Sequence, residues 1–339
     1  MDITGEKLII KLWDTLANKS IGSFLRPWQI RREGRASVEV KRDELLVLAQ
    51  AESDAAAIRS GTKLLLPNGT LVDQLAPSAP TQFVERVDPL PLALAQVIAI
   101  TDQNARADAI RQEVAVAKAV LHAEDELVND SSQSTEGKPE DDWLLRWREC
   151  AASVSSEELQ GIWGKVLAGE VKSPGRFSLR TLEFLRNLSQ VEAKAIERIT
   201  PFVLSGVIFR GPESALEAEG VQFSDLLAMQ ELGVLAGVDG LGLDISWKSD
   251  IPESFQKVLT SHGAVLWVTA TESAKVIKIK VCTVTAIGQQ VLRLGTFPPN
   301  PKMLESVATA IKAQGFEVQI GSYVQVAENQ IQAFNLRAL

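Results

Sequence analysis

The sequence predicts a mainly α-helical protein with a smaller α+β part at its C-terminal end. Apolar residues with helical spacing, together with helix-capping residues, recur from the start of the chain to about residue 200. Alternating apolar residues typical of strands appear only in the last third. Hydrophobic residues make up 45% of the chain and charged residues 23%, as in ordinary globular proteins. A chain of 339 residues can form two or three domains.

The pattern divides the chain into six segments. They are an amphipathic helix and a long Ala- and Arg-rich helix (1–60), a connector and helix (61–127), a flexible linker (128–140), a helical core block (141–205), a winged-helix-like region (206–295) and a C-terminal α/β segment (296–339).

The first segment combines an apolar stripe with positive charge. Residues 3–25 place their apolar side chains on one helix face, and residues 1–42 carry nine Lys or Arg against five Asp or Glu. These residues therefore have a net charge of +4. Because the net charge of the full chain is −8, the remaining residues have a net charge of −12. The stripe can dock on the protein's own core, pack between subunits or lie on a membrane surface. The residues expected to meet a membrane or a partner protein are Leu8, Ile9, Leu12, Trp13, Leu16, Phe24, Arg31 and Arg32.

A long helix is predicted from Gln29 to about Ser60, with Gly61 ending it. Its Ala-rich second half favours close contact between helices, so we expect a homo-oligomer. Turn residues follow up to residue 90, and helical spacing resumes from Leu92 to Leu127.

The block from Asp141 to Leu188 is the most strongly patterned part of the chain. Ser155 with Glu158, and Ser189 with Glu192, have the spacing of capping boxes. Three tryptophans within 21 residues carry a large apolar surface, and such side chains usually lie in a hydrophobic core. The expected structural core residues are Trp143, Trp147, Trp163, Leu167 and Leu182.

The C-terminal third predicts a helix ending at Gly233, two strands paired across the turn 271–275, and a helix in TAIGQQVLRL. This order resembles a winged helix, which raises nucleic-acid binding as an alternative function. The candidate recognition helix carries Asp225 and Glu231 and no Lys or Arg, so phosphate repulsion makes a protein partner the stronger alternative. A further helix from Lys302 to Gly315 and one or two strands complete the chain.

Catalytic and cofactor motifs are not found. His122 and His262 lack neighbours at zinc-site spacing, the sequence has no P-loop, and Ser205 and Ser261 lack a nucleophile elbow. We therefore expect no catalytic, metal or cofactor-binding residues and no cofactor. The cysteines, Cys150 and Cys282, are expected to be reduced core thiols. With no spanning helix and no signal-peptide pattern, we expect a cytoplasmic protein. A second expectation is that the protein contacts the inner membrane peripherally.

The central stretch DDWLLRWRECAASVSSEELQGIWGKVLAGEVKSPGRFSLRTLEFLRNLSQVEAKAIERITPF resembles the core motif of a bacterial family classified only as a domain of unknown function. PWQIRREGRASVEVKRDELLVLAQAESDAAAI resembles the N-terminal segment of that family, and VTAIGQQVLRL resembles a C-terminal helix start with Thr-x-x-Gly. The resemblance implies an architecture and a bacterial origin. It supplies no catalytic residues.

The sequence-based hypothesis is a non-enzymatic, self-associating bacterial protein whose N-terminal helix acts on a membrane or partner, with anti-phage defence as a role suited to that layout. A nucleic-acid-binding regulator is the alternative.

Overall fold

The computed structural model describes residues 3–17, 37–74, 94–128, 130, 135–211, 215–239, 243–327 and 330–339. The chain forms two compact units, Met1–Phe177 and Ser178–Leu339. The boundary between them lies inside the predicted helical core block.

The first unit is a helical bundle built around one long central helix. The helices of the unit are α1 (Ile3–Ala17), α2 (Ser37–Arg59), α3 (Leu94–Val128), α4 (Asp141–Ala152) and α5 (Glu157–Lys172). The helix α3 buries most of its second half, because Val114–Leu121 carries a nearly continuous run of Ala and Val. Both α1 and α5 pack against α3, and α2 lies along it.

A two-stranded hairpin follows α2. Gly61, with φ of 74°, ends the preceding turn, and the strands β1 (Lys63–Leu65) and β2 (Leu71–Asp73) pair antiparallel across the Pro67-Asn68-Gly69 turn. The side-chain amide of Gln103 in α3 bonds both the N–H and the C=O of Leu65. These two bonds, together with the packing of Leu65 and Leu71 on the cluster that contains Ala107, hold the hairpin against α3.

The second unit begins with two short helices and continues as a sheet-rich fold. Ser178 caps α6 (Leu179–Asn187), and Ser189 with Glu192 forms the predicted capping box of α7 (Gln190–Ile199). Later helices are α8 (Phe223–Glu231), α9 (Ala286–Leu292) and α10 (Pro301–Lys312). The strands are β3 (Val203–Leu204), β4 (Val207–Phe209), β5 (Leu235–Ala236), β6 (Leu243–Trp247), β7 (Phe255–Ser261), β8 (Ala264–Ala270), β9 (Ile277–Val284), β10 (Glu317–Ala327) and β11 (Gln330–Ala338).

These strands form two antiparallel sheets. One has the order β3-β4-β9-β5, with β6 also pairing with β9, and the other has the order β11-β10-β8-β7. One continuous apolar core, including Phe255, Leu266, Ile277 and Val307, lies inside the unit. The α10 helix buries its apolar stripe against this core.

The predicted fold class is wrong for the C-terminal half. The strands β8 and β9 flank the turn 271–275, as predicted, but they do not pair: β8 pairs with β7 and β10, whereas β9 pairs with β4, β5 and β6. The winged-helix hairpin is therefore not formed. The α+β part is also not small, because nine of the eleven strands in the described residues belong to the second unit.

Candidate functional site

The apolar stripe of α1 is covered by the protein's own bundle. Leu8, Leu12, Trp13 and Leu16 are at most 5% exposed, and α1 contacts α3 and α5. Ile9 is half-buried. Phe24, Arg31 and Arg32 lie outside the described residues. Contact of the stripe with a membrane or a partner stays a prediction, and it would require α1 to leave the bundle.

The tight approach of α1 to the end of α3 depends on a glycine. A Cβ atom on Gly5 would lie 2.7 Å from the carbonyl oxygen of Val128. On the other side of the helix, Lys11 donates to the carbonyl of Thr135, and burial lowers the pKa of Lys11. The position of α1 is thus held by packing at both its start and its middle.

The three tryptophans of the central block are buried, and two of them donate hydrogen bonds to the backbone. Trp143 Nε1 donates to the carbonyl of Phe177 at 2.6 Å, and Trp147 Nε1 donates to the carbonyl of Trp163 at 2.9 Å. Because these two indole N–H groups have backbone acceptors, the cost of burying them is offset. All five predicted core residues, Trp143, Trp147, Trp163, Leu167 and Leu182, are at most 4% exposed.

A buried carboxylate organises the turn that follows α5. The Glu170 side chain is only 2% exposed and accepts hydrogen bonds from the backbone N–H groups of Gly175 and Phe177. Burial raises the pKa of Glu170, the backbone hydrogen bonds oppose this shift, and the charge of Glu140 adds to it. Sequence reasoning missed this residue, although a Glu on the apolar side of VLAGEV was a usable signal. Its role is to fix the Pro174-Gly175 turn beneath Trp143.

The residues most often used in catalysis make structural contacts. Ser205 Oγ accepts from the N–H of Thr260, Ser261 Oγ donates to the carbonyl of Val203, and His262 Nε2 lies 2.8 Å from the carbonyl oxygen of Thr200. These bonds connect β3 and the residues on either side of it to the end of β7 and the turn that follows β7. Cys150 and Cys282 are both buried free thiols. Within the described ranges, no group of three or more His, Cys, Asp or Glu side chains is placed to share a metal ion.

The predicted recognition helix, α8, presents little positive charge to a partner. Asp225 forms an ion pair with Arg198 at 2.5 Å. On the adjacent sheet, Lys278 and Lys280 are exposed on β9, and Lys280 lies directly opposite Asp244 of β6. The charges on this face therefore alternate in sign, which does not favour contact with phosphate groups.

The first turns of α3 carry a large exposed apolar surface. Leu94, Val97, Ile98 and Ile100 are 75%, 42%, 59% and 52% exposed. At about 100° per residue, these four side chains fall within an arc of about 160°. Gln103, which holds the hairpin, points away from the centre of that arc. We call this surface, Leu94, Val97, Ile98 and Ile100, the α3 stripe.

The α3 stripe is also free of charge. The first charged residue of the helix is Asp102, which pairs with Arg106 one turn further on. Isolated exposed apolar residues are common, but a contiguous apolar surface on one helix face marks a contact site. The stripe is therefore the candidate functional surface of the first unit.

A family model described as "Protein of unknown function (DUF2806)" matches residues 102–207. The match includes the central block, and it confirms the expectation of an uncharacterised domain family. The comparison with curated proteins and the comparison with solved structures each find no match. The helices in the described part of the chain are too short or too polar to cross a membrane.

Proposed function

We propose that this protein is a self-associating binding protein whose copies meet through the α3 stripe. The observation that carries the proposal is the exposure of Leu94, Val97, Ile98 and Ile100 on one uncharged side of a helix. Removing such side chains from water is favourable by about 25 cal/mol per Å² of apolar surface.

A second copy of the chain is the partner that this surface fits best. A two-fold axis places the same patch on both sides of an interface, so the patch must be complementary to itself. An aliphatic stripe without charged residues meets that condition, since it brings together neither like charges nor unpaired ones. The charged pair Asp102–Arg106 lies at its border, as expected for the polar rim of an interface.

The Ala-rich half of α2, which the sequence suggested for self-association, is used within the chain. Ala55 and Ile58 are buried against Ala107 of α3. Arg59 also forms an ion pair with Asp108 of α3. Self-association through this Ala-rich half would have to displace these contacts, whereas the α3 stripe needs no rearrangement.

Action of the N-terminal arm on a membrane would cost more free energy than self-association through the α3 stripe, and the same holds for a role in anti-phage defence that depends on this action. Exposing Leu8, Leu12, Trp13 and Leu16 costs about 1.5–3 kcal/mol for each side chain, on the order of 6–12 kcal/mol in total. That sum is comparable to the whole stability of a typical domain. Such an action therefore needs a trigger that releases α1, and we place it second to self-association.

Sedimentation velocity of the full chain tests the proposal. We expect the wild-type protein to sediment as a dimer or larger assembly of 36.9 kDa chains, and the double variant Val97→Glu, Ile98→Glu to sediment as a monomer. Val191→Glu, at a 79% exposed position of α7, is the matched control and should behave as wild type. A monomeric wild-type protein, or a double variant with the wild-type mass, would overturn the proposal.

A further inference from the structure

A cavity of about 390 Å³ lies within the first unit, between α2, α3 and the turn that joins α4 to α5. Four of its eleven lining residues are alanines, namely Ala55, Ala56, Ala107 and Ala115. The volume is in the range of about 300–1,000 Å³ that is typical of small-molecule sites.

Two buried polar atoms of the residues that line this cavity have no hydrogen-bond partner among the described residues. They are Oε1 of Gln160 and Nε of Arg111. Gln160 is only 1% exposed, and the carboxylate nearest to Arg111 Nε, that of Asp108, is 3.9 Å away. More than about nine in ten buried polar groups in proteins are hydrogen-bonded. One unpaired acceptor and one unpaired donor among the residues that line one cavity thus indicate a ligand that supplies both.

The mouth of the cavity favours an anionic group. Its lining contains the two guanidinium groups of Arg59 and Arg111 and one carboxylate, that of Glu52. Lys118 neutralises this carboxylate through an ion pair at 2.8 Å. Arg59 pairs with Asp108 of α3, so the mouth has three positive groups (Arg59, Arg111 and Lys118) against two carboxylates (Glu52 and Asp108), a net charge of +1. Because Arg59 is about half exposed, the remaining N–H groups of its planar guanidinium can reach a bound anion. Guanidinium groups bind phosphate and carboxylate through paired hydrogen bonds.

We propose that the Gln160 cavity, defined by Gln160, Arg111, Arg59 and the four alanines, binds a nucleoside monophosphate. A nucleobase presents a donor and an acceptor on adjacent positions of one edge, which complements Gln160 Oε1 and Arg111 Nε. The phosphate then lies at the mouth beside Arg59. The four alanines contact the two faces of the base without competing for its polar edge.

Isothermal titration calorimetry of the full chain with the four ribonucleoside monophosphates tests this proposal. The matching nucleosides and inorganic phosphate are titrated as separate probes. We expect at least one monophosphate to bind, at least tenfold more tightly than its nucleoside and than inorganic phosphate. Absence of binding by all four at millimolar concentration would overturn the proposal. So would equally tight binding of inorganic phosphate, because the base would then contribute nothing.

Variants connect the binding to this cavity. Gln160→Leu removes the buried acceptor, and Arg59→Gln removes the charge at the mouth. Each should weaken binding at least tenfold. Arg186→Gln, at an arginine of similar exposure in the second unit, is the matched control and should keep the wild-type affinity. Because Gln160→Leu alters the core, the surface variant Arg59→Gln keeps the test valid if the core variant unfolds. Wild-type affinity in Arg59→Gln would overturn the assignment.

Discussion

Two glycines of α5 provide a matched pair for testing how closely α5 packs on α3. A Cβ atom on Gly164 would lie 2.5 Å from His122 Cβ and 2.9 Å from both the carbonyl oxygen of Ala119 and the amide nitrogen of Ala123. Two of these atoms belong to the backbone of α3 and cannot turn away. A Cβ atom on Gly161, one turn earlier, would meet nothing within 4 Å.

The two alanine variants should therefore change stability in opposite directions. Alanine is favoured over glycine inside a helix by about 1 kcal/mol, so Gly161→Ala should raise the free energy of unfolding by about 0.5–1 kcal/mol. In Gly164→Ala the same gain is opposed by an overpacking cost of about 1–3 kcal/mol or more. We expect a net loss of about 1–2 kcal/mol.

Urea unfolding, followed by far-UV circular dichroism, measures both variants against the wild type. A shift of the midpoint at constant slope reports the change in stability. The packing of α5 on α3 would be refuted if Gly164→Ala were stabilised as much as Gly161→Ala.

Two further substitutions test the bundle. Leu12→Ala in α1 should lower the free energy of unfolding by about 2–5 kcal/mol, because Leu12 is fully buried. The control Ile10→Ala, at a 55% exposed position, should stay within about 0.5 kcal/mol of wild type in the same urea titration. Similar losses in both would mean that the α1 stripe is not packed. Burial raises the pKa of Glu170 in the folded protein above its ordinary value of 4.5. The protonated Glu170 side chain therefore contributes fully to stability below pH 4.5, and this contribution is lost as the pH rises through the folded-state pKa. The stability of the wild type relative to Glu170→Gln should thus decrease between pH 4 and pH 7, and a constant or increasing difference would contradict the burial of this carboxylate.

Local sequence signals predicted the helices well. Ser178 and the pair Ser189 and Glu192 cap helices as their spacing predicts, because a cap is decided within one turn. The start of α5 was predicted one residue early: the capping side chain is Ser156, which accepts from the N–H of Leu159, and not Ser155. Two adjacent serines followed by two glutamates allow either register.

The sheets could not be predicted because their pairing is not local. The apolar residues of β8 and the alternating residues of β9 lie on either side of a short polar turn, which is the usual arrangement in a hairpin. Each instead finds partners elsewhere, β8 in β10 and β9 in β4. The last strand, β11, is largely exposed, and its apolar residues form too weak a pattern to predict a strand.

The candidate sites were missed for a related reason. The α1 pattern indicates an amphipathic helix, but the same pattern suits a membrane, a partner and the protein's own core. The cavity depends on alanines of α2 and α3 meeting Gln160 of α5, and these three helices are far apart in the sequence. The α3 stripe was visible as apolar residues with helical spacing, yet only the structure shows that they are exposed.

Cross-linking within the α3 stripe tests the central claim most directly. The two native cysteines, Cys150 and Cys282, are fully buried, so Ile98→Cys introduces an exposed thiol to a chain that otherwise has none. With a short bis-maleimide reagent, we expect this variant to form a covalent dimer on denaturing gels at micromolar concentration. Val191→Cys, at a more exposed position in α7 (79% against 59% for Ile98), should stay monomeric. Equal cross-linking of the two variants, or none at Ile98→Cys, would contradict self-association through the α3 stripe.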